Sequence, residues 1–277
     1  MKKLFIIFIL SFSTLVYANV NAIVSILPQQ TFLKALGGDK VNISLMVKPG
    51  NSPHTYEPKP SQMKAISKAD VYFTIGVEFE DVWLKRFQNQ NRSMSVSDSI
   101  KGIVKIDIND HSYKSTGHNH AHAKDPHVWT NPKNVKIIAN NMFAKLVELD
   151  KENKQYYKDN LVNFLQYVDN TDKQIREMVK ENSKFMVFHP SWGYFAKEYN
   201  LVQIPIEIGG KNPKPRELKR LIIKAKKENI SAIITSPEFS DKIARQMANE
   251  LNIPVIKISP LAENWSENLI RLAENIL

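Results

Sequence analysis

Lys151–Lys180 reads KENKQYYKDNLVNFLQYVDNTDKQIREMVK, and the spacing of its apolar residues decides the architecture. Tyr157, Leu161, Phe164, Leu165 and Val168 fall at the i, i+4, i+7, i+8 intervals that place side chains on one face of an α-helix, and Ile175, Met178 and Val179 resume the stripe. A single helix over this stretch would run roughly 45 Å at 1.5 Å per residue, longer than a small domain is wide. It is therefore expected to pass along two packing units. The polar run Asp169–Asp172 interrupts the stripe and leaves a second reading open, two helices broken at that point. Helical periodicity extends around this stretch, from about Lys133 to Glu181.

On both sides of it, short apolar runs alternate with amphipathic ones, the pattern of βαβ units and a mostly parallel sheet. Upstream, Ala22–Leu27, Val41–Val47, Val71–Ile75 and Val104–Ile108 read as strands. Helices are expected at Pro28–Leu36, ended by Gly37-Gly38, and at Pro60–Lys68 and Glu80–Gln88. Downstream, strands fall at Lys184–Phe188, Val202–Ile206, Ala232–Thr235 and Val255–Ile258. Helices follow at about Gly193–Tyr199, Arg216–Glu228, Asp241–Leu251 and Ser266–Ile276. The expected fold is α/β, two lobes with mostly parallel four-stranded sheets flanking one long helix. Asp110–Lys124 (DHSYKSTGHNHAHAK) is polar, histidine-rich and aperiodic, and reads as a loop.

The N-terminus carries an export signal. Lys2 and Lys3 precede an apolar core, Leu4–Phe12, too short to span a membrane, and Val16-Tyr17-Ala18 offers a cleavage site before Asn19. The expected divisions are a signal peptide at 1–18, a first lobe at 19–145 that includes the 110–124 loop, a linking helix at 146–182 and a second lobe at 183–277. The chain has no cysteine. Disulfides are thereby excluded, as is a lipid carried on an N-terminal cysteine, which points to a free periplasmic protein. The formal net charge of +10 invites a nucleic-acid reading. The lysines are instead dispersed along surface helices without interleaved aromatics, and export argues further against that partner.

Of seven histidines, His111, His118, His120 and His122 lie in the polar loop, and three stand apart: His54 after a strand, His127 after the loop, and His189 ending the Phe185–Phe188 run. In open α/β sheets, ligands bind beyond the carboxyl ends of strands, and neutral imidazole suits borderline divalent metals such as zinc. Each histidine also has an ordinary reading, as a turn residue (His54, His127) or a hydrogen-bonded core residue (His189). From spacing alone, a shared interdomain metal site and three unrelated histidines remain equally open.

Five stretches carry a resemblance: Val47–Pro60 (VKPGNSPHTYEPKP), Asp125–Pro132 (DPHVWTNP), Phe188–Phe195 (FHPSWGYF), Asn212–Leu218 (NPKPREL) and Ser236–Ser240 (SPEFS). In these the chain resembles the zinc- and manganese-binding proteins of bacterial ABC importers, over nearly its whole mature length. The resemblance implies a metal buried between two lobes joined by a rigid helix, with His54, His127 and His189 as ligands. It implies Zn(II) as cargo, an inner-membrane permease as partner and a monomer that is not an enzyme. Histidine rather than glutamate at position 189 favours zinc over manganese or iron, and the His118, His120, His122 run matches an auxiliary histidine-rich loop of zinc members. One departure stands out. Where many members carry an aspartate as fourth ligand, this chain has Ser259 in Ser259-Pro260-Leu261. The fourth position then falls to water, to Glu238 or to Glu207, and three neutral imidazoles with water would leave the +2 charge uncompensated. A three-histidine zinc with an open position is also an enzyme's arrangement, so an exported zinc hydrolase is the runner-up from another class.

Overall fold

The computed structural model describes residues 19–108 and 124–276. The expected signal peptide and His111, His118, His120 and His122 lie outside them. Two four-stranded sheets, all parallel, form the framework. In the first, β1 (Val20–Val24), β2 (Val41–Leu45), β3 (Val71–Thr74) and β4 (Ser95–Asp98) take the order β2-β1-β3-β4. In the second, β5 (Lys184–Val187), β6 (Val202–Pro205), β7 (Ile233–Thr235) and β8 (Val255–Lys257) take the order β6-β5-β7-β8. Each sheet therefore reverses direction of strand addition between its two central strands, and side chains just beyond those strand ends face a crevice.

Helices α1 (Leu27–Gly37), α2 (Pro60–Ile66) and α3 (Glu78–Gln90) belong to the first sheet; α6 (Gly193–Glu198), α7 (Pro215–Lys227) and α8 (Lys242–Leu251) belong to the second. A proline in the first turn opens α1, α2 and α7, where its missing N–H costs nothing. The central strands are apolar throughout because helices cover both faces: Ala22, Ile23, Val24, Val71, Tyr72 and Phe73 are all buried.

Helix α4 (Pro132–Leu149) is capped by the Asn131 side chain, which accepts from the Lys133 N–H at 2.8 Å. It leads through a turn into α5 (Lys154–Met178), an unbroken helix of 25 residues. The break falls at Asp150–Asn153, where the Asp150 carboxylate accepts from Asn153 Nδ2 at 2.7 Å and Tyr157 Oη at 2.6 Å. It does not fall at Asp169–Asp172. Those polar residues interrupt the apolar stripe because they are the helix's hydrogen-bonding contacts. Thr171 Oγ1 meets Ser266 Oγ at 2.7 Å, and Asp172 accepts from Tyr199 Oη at 2.8 Å.

Helix α5 packs on α1 and α4 and, toward its other end, on α9 (Trp265–Glu274). Around α9 the two sheets' layers share one core. Phe32 of α1 meets Trp265 edge-on with centroids 5.6 Å apart, Trp129 Nε1 donates to Pro260 O at 2.7 Å, and Trp265 Nε1 donates to Trp129 O at 2.8 Å. A second apolar cluster, with Met186, Ile204 and Ile233 at its centre, lies within the β5–β8 sheet and its helices.

One strand expectation is corrected. The fourth strand of the first sheet is Ser95–Asp98, not Val104–Ile108. An edge strand needs only one apolar face, so the polar SVSD suffices for pairing with Val71–Thr74. Val104 is 85% exposed. Ile103 and Ile106 nonetheless pack on the core, and the Ile106 N–H donates to Tyr194 Oη at 3.2 Å, so this segment ties the two halves together. Among the described residues, no helix is long and apolar enough to cross a membrane.

Candidate metal centre

Two of the three isolated histidines, His54 and His189, come from loops that leave a sheet at its carboxyl edge, and His127 comes from the segment that leads into α4. His54 lies in the turn after β2, where the Thr55 N–H donates to Ser52 O. Gln62 of α2 fixes that loop: its Nε2 donates to Leu45 O and Met46 O, and its Oε1 accepts from Tyr56 Oη at 2.8 Å and the Lys59 N–H at 2.9 Å. His127 stands between the Asp125-Pro126 pair and the 3-10 turn Val128–Thr130 that opens toward α4. His189 follows β5, in the extension where the Phe188 N–H donates to Ile234 O at 2.8 Å.

The rings converge from these three directions. The His54 and His189 centroids are 5.3 Å apart, those of His127 and His189 5.5 Å, and one donor atom from each of the three lies within 4.8 Å of the others. Ligand nitrogens around a tetrahedral zinc at 2.0–2.1 Å stand about 3.3 Å from one another. Each pair would then close by at most about 1.5 Å on a metal, within the reach of small loop and ring adjustments.

All three rings have the same arrangement behind them. Nδ1 of His54 faces Glu78 at 3.2 Å, that of His127 faces Asp125 at 2.8 Å, and that of His189 faces Glu207 at 2.7 Å. A carboxylate on Nδ1 selects the tautomer whose proton sits there, which leaves Nε2 with the lone pair that a metal can take. Nε2 of His189 is shielded from solvent and has no hydrogen-bond partner among the described residues. Asp125 is itself fixed: its Oδ1 also accepts from the His127 N–H at 2.8 Å, and its carbonyl accepts from Tyr194 Oη at 2.9 Å. Gly193 makes room for it, since a Cβ there would stand 2.5 Å from Asp125 Oδ2.

These carboxylates change the electrostatics expected from three neutral imidazoles. The charge of a divalent cation is offset from behind the rings, although Glu207 serves His189 rather than reaching across as a ligand. Proton affinities respond accordingly. The hydrogen bond to Glu78 raises the pKa of His54 above its ordinary 6.5, against an opposing effect of burial. For Glu78, burial acts upward, yet the His54 hydrogen bond and charge prevail and bring it to about 2. His189 goes the other way, because burial lowers its pKa more than Glu207 restores it.

Glu238, from the turn after β7, lines the same cavity together with Phe239, whose ring stacks on His189 at 4.6 Å. Ser259, after β8, donates to Glu238 Oε1 at 2.6 Å. The structure thus brings together His54, His127, His189 and, on the cavity wall, Glu238. His118, His120 and His122 fall outside the described residues. Glu78 and Asp125 were not singled out from sequence. Their one signal is position: Glu78 lies just past the end of β3, and Asp125 two residues before a candidate ligand.

A fold of two parallel α/β lobes with a carboxylate-backed cluster of imidazoles between them defines a class, two-lobed α/β proteins with a site fit for a divalent metal. The model of the family described as "Zinc-uptake complex component A periplasmic" matches residues 23–276, and the chain belongs to that family. It is 29% identical over 243 residues to the high-affinity zinc uptake system protein ZnuA of Bacillus subtilis, covering 84% of this chain and 76% of that one. It is also 29% identical over 246 residues to the manganese ABC transporter substrate-binding lipoprotein scaA of Streptococcus gordonii, covering 86% and 77%. A solved structure titled "Crystal structure of ZnuA" superposes with a TM-score of 0.85 at 40% identity, over 93% of this chain and 98% of that chain. The protein is therefore an extracytoplasmic substrate-binding protein of a metal ABC transporter, not an enzyme. The hydrolase reading is set aside.

Proposed function

We propose that the protein captures Zn(II) in the periplasm with Nε2 of His54, His127 and His189 and delivers it to an ABC-type zinc importer in the inner membrane. The observation that carries this reading is the repeated pairing of each Nδ1 with a carboxylate. Three oriented, neutral nitrogen donors favour zinc over manganese, which lies lower in the affinity order for nitrogen ligands and prefers oxygen. The matched family is named for zinc, whereas one relative is named for manganese, so the metal is the finer part of the proposal. In this reading the protein acts as a monomer, and cleavage near residue 18 frees it from the membrane, its sequence having no cysteine to carry a lipid. The loop with His118, His120 and His122 is an auxiliary collector that raises local metal concentration without being needed for tight binding.

Competition between the protein and chromophoric chelators, run with Zn(II) and Mn(II), tests this. Zinc should bind with a Kd at least about a thousandfold lower than manganese, in keeping with the affinity order for nitrogen ligands. Alanine at His54, His127 or His189 should weaken zinc far more than alanine at His118, His120 or His122. Comparable affinities for the two metals would overturn the choice of zinc, and insensitivity to the three substitutions would overturn the site.

A further inference from the structure

On the wall of the same cavity, one charged group remains unexplained by the three-histidine reading. Glu238 sits three residues beyond β7, and Ser259 two residues beyond β8. The two strands are neighbours, with Thr235 paired to Lys257, so the turns that follow them lie side by side. Ser259 is firmly placed: its Oγ accepts from the Leu261 N–H at 3.0 Å, and its carbonyl accepts from Asn268 Nδ2 at 2.7 Å. Its hydroxyl proton is thereby directed to Glu238 Oε1, at 2.6 Å. The other carboxylate oxygen, Oε2, is shielded from solvent and has no hydrogen-bond partner among the described residues. A shielded carboxylate oxygen without a partner is costly, and a cation beside it is the natural relief. Nε2 of His189, on the same cavity, is partnerless in the same way.

We propose that Glu238 Oε2 is the fourth, anionic ligand of the captured cation, and that Ser259 is the positioning residue that turns it inward. Building on the proposed three-histidine capture of zinc, this deepens that reading by specifying the complete donor set as three imidazoles and one carboxylate. Glu238 stands outside the tight group formed by the three imidazoles and joins it as the rings draw in on the metal. The ligand set carries one negative charge rather than none, which favours a divalent over a monovalent cation. It also gives release a specific handle: displacing the short Ser236–Ser240 turn removes the charged ligand while leaving the imidazoles in place.

The test uses the full mature protein, Glu238→Gln, Ser259→Ala and His189→Ala, with Zn(II) affinity read by chelator competition and coordination read from the visible spectrum of the Co(II)-loaded protein, with and without azide. Glu238→Gln should weaken zinc by about 10-fold or more, the scale set by groups that hold a metal's ligands in place. Ser259→Ala should weaken it by a smaller factor, because Glu238 keeps its charge but loses its orientation. Azide should leave the wild-type cobalt spectrum unchanged and shift that of Glu238→Gln, in which an exchangeable position has opened. An azide-sensitive wild-type spectrum, or a Glu238→Gln affinity within twofold of wild type, would overturn the inference. If His189→Ala loses binding while Glu238→Gln keeps it, the fourth ligand alone is refuted. If His189→Ala also keeps it, the three-histidine reading falls as well.

Discussion

Removing the charge behind His189 tests the carboxylate–imidazole design without touching a metal-binding atom. Glu207 is 8% exposed, and its Oε2 lies 2.7 Å from His189 Nδ1. Hydrogen bonds with one charged partner contribute about 1.5–3 kcal/mol. Deleting the group that orients a ligating histidine typically costs 10- to 100-fold in metal affinity, which is about 1.4–2.7 kcal/mol. The two routes agree. In Glu207→Gln the amide oxygen can still accept from Nδ1–H but the charge is gone, so the expected loss is about tenfold. In Glu207→Ala the acceptor goes too, leaving a buried N–H unpaired, and the loss should approach about 100-fold. The deficit should also narrow on acidification. Glu207 raises the proton affinity of His189 along with its metal affinity, so a variant without that charge suffers less proton competition. Chelator competition at two pH values on either side of 6.5 measures both effects. If Glu207→Gln binds zinc within twofold of wild type while His189→Ala does not, the carboxylate plays no part in preparing the ligand and the reasoning fails.

Zinc affinity should fall as pH drops through the raised pKa of His54, because a proton there competes with the metal; the decline should begin above pH 6.5. A titration by competition that stays flat between pH 5 and 8 would count against imidazole ligation. Gly193→Ala would drive a Cβ to 2.5 Å from Asp125 Oδ2, so it should cost about 1–3 kcal/mol of stability, the usual scale for overpacking, and weaken zinc by disturbing His127; denaturant melts and competition read the two effects. Glu80, buried beneath the β3 exit turn, accepts from the Ile75 and Gly76 N–H groups and from Ser25 Oγ, and burial lifts its pKa to about 7. A carboxyl raised in the folded state binds more protons there than in the unfolded chain, so metal-free stability should decline as pH rises from about 4.5 to about 7. Glu80→Gln should flatten that dependence, by up to about 3 kcal/mol, in melts recorded across the window.

Much of the scaffold was legible because buried parallel strands need apolar runs. Lys184–Phe188 anticipates β5 and Val71–Ile75 anticipates β3, each to within a residue at either end. The edge strand β4 escaped because its pairing asks little of its side chains, and the apolar residues of 103–108 that drew attention instead serve as a tie between the halves. Periodicity likewise could not tell that Asp169–Asp172 continues α5. The reason lies in Ser266 and Tyr199, partners distant in sequence that accept a polar patch on a helix. The histidine trio could be found because each residue stands apart from the polar loop in a chain with few histidines, two of them just past strands. Glu78 and Asp125 could not, since acids are common on surfaces; Glu207 reads from sequence only as a ligand reaching across, whereas the pairing of β5 with β6 sets it behind His189.

The central claim is that one divalent metal is held at the carboxyl edges of both sheets by Nε2 of His54, His127 and His189. Anomalous diffraction at the zinc absorption edge, on crystals of the metal-loaded protein, tests it most directly. The account predicts one strong peak about 2.0–2.1 Å from all three Nε2 atoms, with each Nδ1 still on its carboxylate. A peak bound through Nδ1, displaced from any of the three rings, or found elsewhere in the molecule would contradict it.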